Sequence, residues 1–266
     1  MAVRQEGPVH APDAKRPLLL NTGRSRDQWH TMTRTGGVPR LMTHAPEPVL
    51  DLAPADAAGL ADGDLVAVES RFGKAFARVR VTDAQRPGEA FLPMHWSGHF
   101  AARSGAGPVS SPIADAHSGQ PELKAVPVRM ARVALGWHGL LITARDLRPT
   151  GLLHWSRARV EGGWAYEMMG AEPPADGVLL ARALLAPASR ANLIDYADKR
   201  AGTWRAAALD EGGPSECRPA WHPVDRDSTR VGKGAPAARL EGAARHRLDA
   251  SAPASAARVG GRVDAK

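Results

Sequence analysis

The segment 65–82 constrains this chain more than any other. Ala77, Val79 and Val81 alternate with Arg78, Arg80 and Thr82, the two-residue period of a strand with one face buried and the other solvated. A second apolar run, 65–70, precedes it across Arg71-Phe-Gly-Lys74, so the two read as neighbouring strands. Further runs of strand length lie at 16–21, 90–94 and 126–133. Ala61-Asp-Gly-Asp64 is a turn signal, because Asp-Gly supplies the positive φ of a tight reversal. Residues 54–60 fit a short helix with Pro54 in its first turn, and the prolines in His44-Ala-Pro-Glu-Pro48 keep 44–51 extended. Short strands, frequent turns and one helical excursion predict a compact β-barrel over 16–135, after a polar lead-in at 1–15. The fold class is mainly β with short helices.

The texture changes after residue 135. Residues 176–185 and 189–201 carry helical spacing, and Trp137, Trp155, Trp164 and Trp204 supply bulk, so 136–211 reads as a small α+β appendage. From 212 to 266 large apolar residues are few and without period. Such a stretch does not offset the ~1–2 kcal/mol per residue that ordering costs, so a disordered basic tail is expected. It holds ten Lys and Arg against six Asp and Glu, hence +4 of the formal charge of +7. The basicity implies weak, salt-dependent association with polyanions but no specific nucleic-acid recognition, since no aromatic interleaving accompanies it. The single cysteine, Cys217, excludes a disulfide framework, a cysteine zinc finger and an iron–sulfur cluster held by this chain alone; in the tail it reads as a free exposed thiol. No apolar run is long enough to span a bilayer and no secretory h-region opens the chain, so a soluble cytoplasmic protein is expected.

The densest chemistry lies in Asn21-Thr-Gly-Arg-Ser-Arg-Asp-Gln-Trp-His-Thr-Met-Thr-Arg34, directly after the first strand. Three guanidinium groups (Arg24, Arg26, Arg34), hydroxyls and backbone N–H groups suit a diphosphate, and Gly23 permits close backbone approach. Trp29 and His30 would border a flat heterocycle, and Asp27 would accept from the N–H edge of a guanine. A solvated loop between strands explains the same composition equally well. Other constellations are weaker. His95 and His99 would share a metal only on a helix, which Pro93 and Gly98 oppose. No Ser/His/Asp arrangement stands out, so neither a catalytic nor a metal-ligating residue is assigned.

Leu20-Asn-Thr-Gly-Arg24 followed by Gln28-Trp-His-Thr-Met-Thr-Arg34 resembles the C-terminal domain of molybdopterin oxidoreductases, most of all the assimilatory nitrate reductase catalytic subunit. Pro54-Ala-Asp-Ala-Ala-Gly-Leu60 with Asp62-Gly-Asp64, Leu92-Pro-Met-His-Trp96, Ser118-Gly-Gln-Pro-Glu-Leu-Lys124 and Pro127-Val-Arg129 agree in the same order. The resemblance is strong over residues 16–133 and weaker, through Trp137-His-Gly139 and Tyr196-Ala-Asp198, to about 211. It implies a six-stranded double-psi β-barrel that binds the guanine dinucleotide arm of a molybdenum bis(molybdopterin guanine dinucleotide) cofactor. Thr22, Gly23, Arg24, Asp27, Gln28, Trp29, His30 and Thr31 would form the dinucleotide loop. His95 would lie near the pterin, and Gln120 and Lys124 would anchor the cofactor from a distance. One departure stands out. The family commonly carries Asn seventeen residues before that lysine, where this chain has Gly107.

By the same resemblance, the iron–sulfur segment, the molybdenum ligand and most of the substrate pocket belong to upstream domains. The chain is therefore expected to be a C-terminal fragment, inactive alone, whose frame departs from the family after about residue 211. A stand-alone nucleotide-binding module and an inert fragment with a non-specific basic tail are the alternatives. A formate dehydrogenase relative also fits the motifs, although Pro93-Met-His-Trp96 leans toward nitrate.

Overall fold

The computed structural model describes residues 7–185, 193–198, 200, 203–210, 213–216 and 220–223. Its first unit follows from the alternating runs. Strands β1 (Leu18–Gly23), β2 (Val49–Leu52), β3 (Leu65–Glu69), β4 (Lys74–Val81), β5 (Glu89–Pro93) and β6 (Val126–Arg132) close into a barrel in the order β1-β5-β2-β4-β3-β6. Two of these pairings, β1 with β5 and β2 with β4, are parallel, so strands far apart in sequence become neighbours. Leu20, Leu50, Val66, Val68, Val79 and Leu92 fill the interior. Closure leaves no barrel strand with an unpaired edge.

Most barrel elements fall where the sequence places them. The turn before β3 forms with Gly63 at φ +85°, and the Asp64 carboxylate accepts the Ala61 N–H at 2.9 Å. Two elements differ. Order at 54–60 is limited to a 3-10 turn at Pro54–Asp56, and β1 continues through Thr22 and Gly23 because β5 pairs with both. The lead-in is tied down where described: Arg71 meets Asp13 at 2.8 Å, and the Val9 N–H donates to Glu122 at 3.0 Å.

The chain beyond the barrel is more sheet than the α+β expectation allowed. Strands β7 (Trp137–Thr143), β8 (His154–Val160), β9 (Gly163–Gly170), β10 (Leu193–Asp198), β11 (Thr203–Asp210), β12 (Gly213–Glu216) and β13 (Ala220–Pro223) form one antiparallel sheet in the order β10-β11-β13-β7-β9-β8, with β12 beside β11. Strands β8 and β9 are a hairpin whose two-residue turn puts Gly162 at φ +69°. Helix α2 (Gly177–Leu185) starts where expected, because Asp176 accepts the Val178 and Leu179 N–H groups at 2.7 and 3.1 Å.

Of the helix expected over 189–201, the described residues 193–198 form the strand β10 instead, where Ile194 and Tyr196 find backbone partners across β11; pairing overrides weak helical spacing. Strands β12 and β13 likewise carry order past 211, into the segment expected to be patternless. Cys217 and residues 224–266 lie outside the described residues. Among the described residues no helix is long and apolar enough to cross a membrane.

The sheet and the barrel share buried surface. Phe76 and Leu65, on the outer side of the barrel, pack with Leu135 and Met169. A larger core joins Met32, Met42, Trp96 and Phe100 from barrel loops to Trp155, Trp164 and Tyr166 of the sheet. Arg78, expected on a solvated face, is consequently buried with Glu47 at 3.2 Å. The pair His138–Glu167 lies close by on β7 and β9. Burial and the nearby Glu167 carboxylate push Glu47 above the usual carboxylate range, against the pull of Arg78 and His138.

Candidate functional site

The end of β1 and the loop behind it form a cluster with a buried frame and an exposed rim. The frame begins at Thr22, whose hydroxyl is buried and donates to the Leu123 carbonyl at 2.9 Å. The Thr22 carbonyl accepts from the Lys124 ammonium. Next to this contact, the Ala125 N–H donates to Asn21 Oδ1 at 3.2 Å, with Ala125 itself at φ +56°. Lys124 therefore lies at the mouth of β1 although 102 residues separate it from Thr22. Gly23 lies tight against the neighbouring strand: a Cβ there would stand 2.8 Å from the edge of the Phe91 ring on the parallel neighbour β5, which would have to shift.

The loop is folded onto its own polar groups. Gln28 is buried; its amide donates to the Leu41 carbonyl at 2.9 Å and accepts from the Thr35 hydroxyl at 2.7 Å. Leu41 belongs to α1 (Pro39–Met42), a single turn with proline at its start. Below the loop, Met32 and Met42 are fully buried against the second sheet. His95 has no solvent exposure and engages both ring nitrogens. Nε2 lies 2.8 Å from the Ser25 N–H, and Nδ1 lies 2.6 Å from the His30 carbonyl. The Met94 N–H donates to the Gly23 carbonyl at 2.9 Å, which holds this segment beside β1.

The geometry divides the residues singled out in the sequence. Thr22, Gln28 and His95 were expected to reach a ligand, but their side chains are buried and committed to protein partners, so they build the frame. Arg24, Trp29, His30 and Thr31 are exposed on the rim with Lys124. Trp29 is 58% exposed, its ring lies 4.8 Å from the Arg24 guanidinium, and the His30 ring meets it edge-on at 4.6 Å. Thr31 and Thr33 pair their hydroxyls at 3.0 Å. Asp27 is half-buried and contacts Arg26 at 3.0 Å and His44 at 3.4 Å. The hydrogen bond from Arg26 holds its carboxyl below the usual range. Arg24 and Arg34 pair with no carboxylate among the described residues.

Gln120 stands apart. It lies in the turn at 115–120, where its carbonyl accepts the Asp115 N–H at 2.9 Å. Among the described residues no hydrogen bond joins its side chain to the loop. At Gly107 an added Cβ would meet nothing within 4 Å, so the departure from the family leaves open space. No group of three or more His, Cys, Asp or Glu side chains with metal-holding geometry occurs among the described residues.

Sequence reasoning missed the backbone of the site. Ser25 N–H, the His30 carbonyl and the left-handed backbone of His30 (φ +45°) and Met32 (φ +60°) have no signature in composition. Asn21 was quoted only as part of a motif, and its place after a buried strand was the one signal available.

Exposed guanidinium groups that meet no carboxylate among the described residues, an ammonium, hydroxyls and an aromatic face at one rim make a donor set for a phosphorylated, planar ligand. Comparisons agree with that chemistry. Residues 18–127 match the family described as Molydopterin dinucleotide binding domain. A nitrate reductase of Klebsiella oxytoca is 47% identical over 152 residues, covering 56% of this chain and 18% of that protein. A nitrate reductase of Shewanella frigidimarina is 36% identical over 167 residues, covering 55% of this chain and 18% of that protein. A periplasmic nitrate reductase of Desulfovibrio desulfuricans is 40% identical over 90 residues, covering 33% and 12%. The chain thus spans less than a fifth of the length of these curated relatives. Its barrel, residues 18–127, belongs to the molybdopterin dinucleotide-binding domains found in nitrate reductase-like proteins.

Proposed function

We propose that the barrel binds the guanine dinucleotide arm of a molybdenum bis(molybdopterin guanine dinucleotide) cofactor, as the C-terminal domain of an assimilatory nitrate reductase. The observation that carries this reading is the rim itself. Arg24 lies over an exposed Trp29 and has no carboxylate partner among the described residues, while Lys124 stands at the mouth of β1. Arg24, Thr31 and Lys124 would meet phosphate oxygens. Trp29 and His30 would border the base, and Asp27 would accept from the N–H edge of guanine at the expense of part of its contact with Arg26. The domain's share of the work is to bind and orient. When bound, the cofactor supplies the two-electron chemistry that takes nitrate to nitrite, at a centre completed by the rest of the reductase. A single wall holds such a cofactor weakly, so the chain alone turns over no nitrate. With the assimilatory reading goes a cytoplasmic location, and the reductase's other domains, not a nucleic acid or a bilayer, are the partner.

Calorimetry on the purified full chain with guanosine diphosphate, and with adenosine diphosphate as control, tests the reading. Guanosine diphosphate is expected to bind more tightly than its adenine counterpart. The double variant Arg24→Ala, Lys124→Ala is expected to lose at least about tenfold in affinity, as removal of charge-assisted hydrogen bonds does. Absence of heat from the unmodified chain at millimolar nucleotide would overturn the proposal. Equal affinity for the two nucleotides would overturn the guanine assignment.

A further inference from the structure

His95 is a buried tie between the two ends of the loop's working segment. The Ser25 backbone N–H can only donate, so His95 Nε2, 2.8 Å away, presents its lone pair. The His30 carbonyl can only accept, so Nδ1, 2.6 Å away, carries the proton. The opposite tautomer would set N–H against N–H and lone pair against lone pair. An imidazolium would turn Nε2–H toward the Ser25 N–H. The contacts therefore fix one state of the ring, neutral with the proton on Nδ1. Between the two bonded backbone groups lie residues 26–29, and on either side stand Arg24 and Thr31. The backbone at His30 and Met32 is left-handed without glycine, a conformation that persists only where its surroundings impose it. The His95 ring imposes it from one side, and the buried Met32 side chain from the other.

We propose that His95 is a positioning residue: through Ser25 and His30 it sets the shape of the loop, and so presents Arg24, Trp29 and Thr31 to a nucleoside diphosphate that it never touches. The ligand named here rests on the function proposed above; the tie itself does not. The two replacement amides separate the two arms. In His95→Asn the amide nitrogen occupies the place of Nδ1 and keeps the bond to His30, losing the Ser25 arm. In His95→Gln the terminal oxygen reaches the place of Nε2 and keeps the Ser25 arm, losing the other.

The test uses the full chain labelled with nitrogen-15. In the unmodified protein at neutral pH, the His95 ring is expected to show a protonated Nδ1 and an unprotonated Nε2, with slow hydrogen exchange at the Ser25 amide. That exchange is expected to quicken about fivefold or more in His95→Asn and to change less in His95→Gln. Both variants are expected to bind guanosine diphosphate about three- to tenfold more weakly, the worth of one hydrogen bond. Arg24→Ala is expected to weaken the same nucleotide while leaving Ser25 exchange at its original rate. A protonated Nε2, or a Ser25 amide that exchanges freely in the unmodified protein, would overturn the tie even if neither variant folds. Undiminished nucleotide binding in His95→Asn would overturn its positioning role. Failure of the unmodified chain to bind nucleotide would instead sink the function proposed above, with the ring and amide signals intact.

Discussion

His154 makes the stability of this fold depend on pH. It opens β8 at the seam between sheet and barrel and is 1% exposed. Its Nδ1–H donates to the Ala102 carbonyl at 2.8 Å, and its ring meets Phe76 edge-on at 6.4 Å. Burial, with the nearby Arg78 charge, pushes its pKa from 6.5 down to about 4. In the unfolded chain the ring returns to the ordinary value. Above that value both states are neutral and the residue adds no pH dependence. As pH falls from 6.5 toward about 4, the unfolded chain takes up a proton that the folded chain refuses, so stability declines with falling pH. At ~1.36 kcal/mol per pH unit the loss amounts to about 3 kcal/mol when the lower value is reached. The assay is urea unfolding followed by tryptophan fluorescence at a series of pH values across that range. The reference is His154→Asn, which keeps a donor toward Ala102 and removes the titration. The variant is expected to be weaker near neutrality, by about 1–2 kcal/mol for lost packing, and to be overtaken in the fall as pH drops. All other ionisable groups are common to both proteins and cancel in the difference. Parallel stability curves for the two proteins would refute the reasoning.

Other perturbations address different links. Arg78→Met strands the Glu47 carboxyl in the seam and should cost about 3–5 kcal/mol in urea unfolding; pairing it with Glu47→Leu should recover most of that, because removing both charges removes the desolvation penalty. Gly105→Ala would place a Cβ 2.0 Å from the Trp96 carbonyl oxygen at φ +92°, and a drop of at least ~2 kcal/mol in folding free energy is expected. Trp29→Ala removes an exposed ring and should move the unfolding midpoint by less than ~0.5 kcal/mol, while weakening guanosine diphosphate measurably in calorimetry. Nucleotide affinity should also fall as salt rises, because Arg24 and Lys124 sit in solvent where charge is screened.

The barrel strands were readable because each carries its own period and its own turn: Ala77, Val79 and Val81 point inward, and Gly63 turns the chain before them. The parallel neighbours β1 and β5 were not readable, since nothing in Leu18–Gly23 names a partner about seventy residues on. Arg78 was assigned to solvent by the same alternation that located its strand. The pattern of one strand cannot record that a second sheet covers its outer face. The loop at 21–34 was found by its chemistry, but chemistry alone could not divide Arg24 and Trp29 on the rim from Thr22, Gln28 and His95 in the frame. That division depends on Leu123, Leu41, Ser25 and His30, all of which act through backbone groups that every residue has. Strand β10 was mistaken for a helix because the spacing over 189–201 fits both, and only the pairing with β11 decides.

The shared core of Met32, Met42, Trp155 and Trp164 also orders events in time. A chain leaves the ribosome from its N-terminus at about 5–20 residues per second. The loop therefore emerges on the order of 10 s before the β8–β9 hairpin that covers its methionines. During that interval the loop lacks Trp155 and Trp164, and Met32 and Met42 are without the surface that covers them. Closure over the loop's methionines thus waits for a hairpin made more than a hundred residues after them.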